Sequence, residues 1–378
     1  PVYFDTPTPG SANAAAVADV VEFSESSRTF SGSMTLSLST GSPSATIRYT
    51  LDGSEPSASS LLYTSTLTLS SSARVRARAF ESGLVDGPVV SERYFKMNSG
   101  PASFSSNLPV VVIDNFGGGE VPHPDSTARQ NCEIMIFEPV DGQVQLTQGP
   151  AIASRAGLRR RGQSTLRNTN TKPNLSLETW GELDEDSRPI EPFGMPADSD
   201  WILYAPWTID TAMIRNPFIY EVSNEAGQYA VRTRYVELYL NHGGGSISDG
   251  DYYGLYVFME KIKRDAGRVD VAELPESVGS GSPDISGGYI WKRDKFDKDG
   301  NNNPTEPVFE AANDILMPVY PRSLVGDQEA WLVNHLNTID AAIPNGDYES
   351  LIDVESFADH HILNVFTNNA DGLRVSTF

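Results

Sequence analysis

Between Met34 and Phe80 the chain repeats one pattern: short runs in which every second residue is apolar, split by turn residues. Met34, Leu36 and Leu38 alternate with polar neighbours. Ala45-Thr-Ile-Arg-Tyr-Thr50 repeats the alternation, as does Ala73-Arg-Val-Arg-Ala-Arg-Ala-Phe80. Successive side chains of an extended strand point to opposite faces, so each run can bury one face and must find a partner for it. Leu51-Asp-Gly-Ser-Glu-Pro56 supplies turn chemistry between two of the runs. Short strands with regular turns predict a small all-β sandwich that ends near Tyr94-Phe95. Arg74, Arg76 and Arg78 share one face of their strand. A solvated face is the plain reading of them, and a ligand face is the other.

Before the sandwich, residues 1 to about 20 carry Thr6-Pro-Thr-Pro-Gly10 and small residues, with too little apolar content to fold alone. The opening Pro1-Val-Tyr-Phe-Asp5 reads as a cut from something longer. After the sandwich, Lys96-Met-Asn-Ser-Gly-Pro101 looks like a linker, and from Leu108 the character changes. Leu108-Pro-Val-Val-Val-Ile-Asp114 and Cys132-Glu-Ile-Met-Ile-Phe137 are buried-strand candidates. So are Trp201–Tyr204, Tyr235–Leu240 and Tyr253–Met259. Helical periodicity marks Asp210–Glu225, where Pro217 opens or kinks a helix, then Glu329–Ala342 and Val354 to about Asn368. The expected division is a tail over 1–20, a β-sandwich over 21–96, a linker over 97–107 and a larger domain over 108–378. Strands first and helices later is an α+β order.

Composition narrows the function classes. A formal charge of −22 argues against nucleic-acid partners and anionic membranes, and no apolar run reaches the length of a membrane span. The single cysteine, Cys132, permits no internal disulfide and no thiolate metal cluster, and reads as a core thiol.

The chemistry-bearing segments are few. Arg159-Arg-Arg-Gly-Gln-Ser-Thr165, followed by Lys172, combines guanidinium groups, hydroxyls and a glycine, the groups that grip phosphate. It lacks the spacing of a P-loop, and a solvated basic turn is the alternative. Tyr252–Met259 is an apolar strand that turns abruptly charged at Glu260, so its end could offer backbone to a base edge or simply emerge into solvent. Asp297-Lys-Asp-Gly-Asn-Asn-Asn303 alternates oxygen ligands as a calcium loop does, but Val308 stands where the bidentate glutamate belongs, which favours an acidic loop. His360 and His361 are adjacent on a helix and point apart. Asp371, ahead of Gly372, is either a turn residue or a carboxylate that orients an attacking hydroxyl.

In this order, the segments resemble the CotH (spore coat protein H) type of atypical protein kinase. The resemblance runs through Arg159–Thr165 with Lys172, Asp200–Pro206 with Asp210, Met213–Asn216, Tyr253–Lys263, Arg268–Asp270, Gly287–Ile290 and Asn368–Arg374. It implies a divergent kinase-like fold that uses ATP with magnesium or manganese to phosphorylate serine or threonine of a protein acceptor. By that analogy Lys172 contacts phosphate, Arg161 and Ser164 belong to the phosphate-facing segment, and Glu221 is a candidate partner of Lys172. Met259 and Glu260 resemble a hinge whose backbone meets adenine, and Asp371 resembles the catalytic aspartate. A metal-binding aspartate of the family would follow beyond Phe378, so the metal residues stay unassigned. The chain is read as a truncated fragment expected to transfer no phosphate. Residues about 24 to 95 resemble the chitobiase/β-hexosaminidase C-terminal sandwich, and Tyr3–Asn13 the end of a lamin-tail domain. These neighbours imply an exported or surface protein, with glycan or cell-wall contact by the sandwich. The competing reading is a noncatalytic adhesion or glycan-binding scaffold. A glycan hydrolase finds no paired carboxylates in its favour.

Overall fold

The computed structural model describes residues 16–122, 128–162, 172–207, 209–274, 284–296, 304–369, 372 and 377. By contact density the chain divides into two compact units, Pro1–Ile209 with Arg234–Met259, and Asp210–Thr233 with Glu260–Phe378. The fold is α+β, as the order of elements predicts.

The first unit opens with nine short strands: β1 (Val21–Phe23), β2 (Arg28–Ser31), β3 (Met34–Leu36), β4 (Leu38–Thr40), β5 (Thr46–Thr50), β6 (Leu61–Leu62), β7 (Leu67–Leu69), β8 (Ala73–Phe80) and β9 (Val90–Met97). They form a five-stranded sheet in the order β2-β9-β8-β5-β6 and two strand pairs, β1-β4 and β3-β7. Leu36, Leu38, Ile47, Leu69, Val75 and Tyr94 fill the space between them, which is where the period-two alternation sends its apolar side chains. The arginine face of β8 is not solvated. Arg76 is only 4% exposed, and Arg74 Nη1 reaches Glu133 Oε1 at 2.7 Å. That face lies against the barrel that follows.

A short helix α1 (Ser99–Ser103) and the small strand pair β10 (Ser105–Ser106) with β13 (Val144–Gln145) join the sandwich to the barrel. Seven strands close it: β11 (Val110–Asp114), β12 (Gln130–Phe137), β14 (Ile152–Arg160), β15 (Leu175–Trp180), β16 (Asp200–Tyr204), β17 (Thr233–Asn241) and β18 (Tyr252–Glu260). The order is β11-β12-β14-β15-β16-β18-β17, shut by a parallel pairing of β11 with β17. Every residue of β11 is buried, as its unbroken apolar run predicts. Cys132 is buried in β12, where desolvation pushes its thiol pKa up.

In the second unit, α2 (Arg215–Glu225) carries Pro217 in its first turn, where a missing N–H costs nothing. A three-stranded sheet of β19 (Ile290–Lys292), β20 (Phe309–Ala311) and β21 (Asp314–Tyr320) packs Phe309, Ala311 and Leu316 against Leu332 of α3 (Asp327–Ala342). The last helix, α4 (Val354–Phe366), is capped by Asp353, whose side chain accepts from Ser356 N at 3.2 Å.

Candidate functional site

The register gathers particular strand ends at one end of the barrel. Asp114 stands beside Asn241 on the parallel pair and opposite Glu133. Arg160 pairs with Leu175, and Leu175 with Leu203. The carboxyl ends of β11, β14, β16 and β17 therefore share this end with the amino ends of β12, β15 and β18. The connections that leave it are rich in glycine.

Gly117-Gly118-Gly119 follows β11 and Gly243-Gly244-Gly245 follows β17. The two loops touch backbone to backbone: a Cβ on Gly244, at φ +77°, would stand 3.1 Å from the Gly117 Cα. Asn115 fixes the first loop, donating from Nδ2 to Gly119 O and to Gln130 Oε1, each at 2.8 Å, and accepting from Gly118 N at 3.1 Å. Beneath it, Asp114 is fully buried and accepts from Phe116 N at 2.7 Å and Asn241 Nδ2 at 3.2 Å. Burial pushes its pKa up to about 6 against the pull of those bonds and of Ser72. At the rim, Glu120 holds Arg160 Nη2 at 2.6 Å and lies 3.8 Å from His242 Nε2.

Lys172 belongs to this end. Its ammonium lies 5.1 Å above the centre of the Tyr256 ring, and a Cβ on Gly254 (φ +73°) would come within 3.5 Å of it. Tyr256 is itself fixed by donating to Pro173 O at 3.1 Å, and Asn174 Oδ1 accepts from Ala205 N at 2.6 Å, tying the Lys172 segment to the end of β16. The side chain is half-buried, and desolvation lowers its pKa. Among the described residues no carboxylate lies within ion-pair distance of it. A cation in that position fits an incoming anion.

The other sequence-selected residues fall as follows. Arg161 is exposed at the same barrel end, and its N donates to Asn174 O at 2.9 Å. Ser164 and Asp371 lie outside the described residues, as do the calcium-like loop 297–303 and the lamin-tail-like segment. Glu221 is exposed on α2. Met259 and Glu260 are buried at the far end of β18, five and six residues after Gly254, so roughly 16 Å or more along the strand. The Glu260 N already donates to Arg232 O at 3.3 Å. Its carboxylate accepts from Arg232 N and Arg232 Nη1, each at 2.8 Å, so this side chain has a structural use. Among the described residues no group of three or more His, Cys, Asp or Glu side chains is arranged to hold a metal. The two glycine triplets were not selected from the sequence. Each follows an apolar strand within two residues of its end, and that placement is the signal that could have found them.

Two family models match the chain. The family described as CotH kinase protein matches residues 158–378, and the chitobiase/beta-hexosaminidase C-terminal domain matches residues 25–91. No curated protein and no solved structure matches the chain.

Proposed function

The chain belongs to the CotH kinase protein family, and from that premise we propose that its barrel end takes the phosphates of ATP for transfer to a serine or threonine hydroxyl of a protein. The observation that carries this reading is Lys172, a half-buried ammonium resting on a ring face with no described carboxylate to neutralise it. A phosphate oxygen at that point would restore the charge balance that desolvation disturbs. Gly254 leaves its backbone open on the side of the ammonium, since a side chain there would crowd it. Arg160, held by Glu120, and Arg161 bring guanidinium groups to the rim, while Gly118 N and Gly119 N are already bonded within the loops. A divalent ion, magnesium or manganese, would travel with the nucleotide and neutralise its phosphates. Its protein ligands are not assigned among the described residues. Asp371 is proposed as the carboxylate that orients the acceptor hydroxyl, on the family resemblance.

The test is calorimetric titration of the chain with ATP in magnesium buffer, beside Lys172→Met, with circular dichroism to check folding. Saturable, magnesium-dependent binding that weakens about tenfold or more in the variant supports the reading, since a charge-assisted contact contributes about 1.5–3 kcal/mol. Equal affinity in both proteins, or none in either, overturns it. A second reading draws on the match over residues 25–91: an exported or surface scaffold whose sandwich binds glycan or cell wall. Glycan binding by a chain indifferent to nucleotide would favour that reading.

A further inference from the structure

The helix α4 carries more apolar surface than its own unit covers. Of its thirteen residues only Asn364 is buried. Phe357, Ile362, Val365 and Phe366 are 62%, 61%, 60% and 67% exposed. At 100° per residue these four and Val354 fall within one half of the helix circumference, opposite the half-buried Leu363 and Thr367. Beside it in the same unit lies α2. The Phe218 ring meets the Phe366 ring at 6.4 Å. Just past the other end of α2, Gln228 donates to Asp359 Oδ2 at 2.9 Å and accepts from Ser356 Oγ at 3.4 Å, so the two helices run antiparallel. Ile214 and Phe218, one turn apart on α2, are exposed as well. Together the six exposed side chains present roughly 500 Å² of apolar surface, toward the upper end of the largest patch on an ordinary monomer.

Charge selects what covers this face. From Ser323 to Leu373 the sequence holds nine carboxylate side chains and no lysine or arginine. Glu355 is exposed within the apolar half of α4, and the exposed Asp353 and Glu349 lead into it. On α2 the stripe that begins with Ile214 and Phe218 continues with Glu221 and Glu225, both exposed. Arg215, at the amino end of α2, is the one guanidinium on the two helices. A second copy of the chain would set carboxylates against carboxylates across such a face, and an anionic membrane would do the same. A cationic helix with one apolar side meets both the rings and the rim.

We propose that the face formed by α2 and α4 docks a cationic amphipathic helix of a partner protein. Its apolar stripe lies on Phe357, Ile362, Val365 and Phe366, and its lysine or arginine side chains reach Glu225 and Glu355 at the edges. The apolar contacts supply the affinity, while the carboxylates set the sign of the partner's charge and speed the encounter. None of these residues belongs to the group around Lys172, so the proposal stands apart from the ATP reading.

The experiment titrates the whole chain with a synthetic leucine–lysine amphipathic helix, followed by calorimetry. A leucine–glutamate helix of the same pattern and a scrambled leucine–lysine peptide serve as controls. The cationic helix should bind saturably and more weakly as salt is raised, and neither control should bind. Phe357→Gln with Ile362→Gln, which keeps good helix formers on an exposed face, should weaken binding about tenfold or more. Glu225→Gln with Glu355→Gln should weaken it several-fold and flatten its salt dependence. Glu185→Lys, in an acidic loop of the first unit, should leave it unchanged. Absence of binding, equal binding of the scrambled peptide, or an equal loss in Glu185→Lys each overturns the proposal, the last two because they reduce it to attraction by net charge. Sedimentation of the chain alone settles the rival occupant: a dimer that Phe357→Gln with Ile362→Gln abolishes would hand the face to a second copy. If that variant does not fold, the glutamate pair decides, and unchanged affinity and salt dependence there sink the idea.

Discussion

Asp114 is a carboxylic acid with no access to water, and three hydrogen bonds that favour its charged form do not offset that loss. Its pKa in the fold, about 6, stands above the ordinary 3.8. Between those values the folded chain holds a proton that the unfolded chain has released, so stability falls as pH rises from about 4 to about 6 and stays lower above it. Two pKa units correspond to about 3 kcal/mol at most. Asp114→Asn removes the titration but also disturbs the bond from Asn241, and that geometric cost does not depend on pH. The stability difference between the two proteins, from denaturant unfolding at pH 4 and pH 7.5, should therefore move in favour of the asparagine form by up to about 3 kcal/mol. A pH-independent difference would place the Asp114 pKa near its ordinary value. Lys172 is the counterpart at the same barrel end: burial disfavours its charge too, but its surroundings hold no described anion. One of the two is served by hydrogen bonds of its own fold, and the other is the point where the proposed function places a phosphate.

At the scale of elements, β14 shows where alternation stops being readable. Its sequence, Ile152-Ala-Ser-Arg-Ala-Gly-Leu-Arg-Arg160, offers no clean period of two, and from residues alone its end reads only as a basic segment. The strand exists because its neighbours complete it. The Trp180 ring fills the space above Gly157, where a Cβ would stand 2.0 Å from the ring, and Arg155 lies over that same ring. Gly157→Ala should consequently destabilise the chain by about 1–3 kcal/mol or more through overpacking, read as a lower denaturant midpoint with an unchanged slope. A neutral substitution would mean that Trp180 can move aside. By contrast β8 was legible from its alternation, and β11, β12 and β16 from apolar runs that their burial satisfies; α3 and α4 were legible as helices from their period, though Phe357, Ile362, Val365 and Phe366 of α4 stay exposed. At the barrel end the basic segment and Lys172 could be found by residue type. The glycine loops that complete it depend on β11 and β17 lying parallel, a pairing of strands more than a hundred residues apart that no local pattern encodes.

For the first unit as a whole, the question is whether sandwich and barrel are separate bodies on a tether. A linker reading of Lys96–Pro101 suggests that they are, but the arginine face of β8 argues otherwise. Glu133 on β12 has no solvent exposure and is gripped by Arg74 and Arg93 from the sandwich. A surface ion pair would contribute little, whereas removing one partner of a buried pair strands charge in a medium that cannot solvate it, at about 3–5 kcal/mol. Thr29 Oγ1 also crosses the junction to Leu146 O, and the Phe95 and Phe116 rings meet edge to face at 6.1 Å. The sandwich should therefore open with the barrel and not before it. Hydrogen exchange under native conditions tests this directly: amides of β8, β9, β12 and β14 should share one opening free energy in the wild type. Glu133→Gln leaves both arginines undercompensated, so it should lower that shared value by several kcal/mol and let the sandwich amides exchange ahead of those of the barrel. If the two sets already differ widely in the wild type, the junction is a contact between independent domains, and Glu133→Gln should then change neither opening energy by more than a surface ion pair contributes.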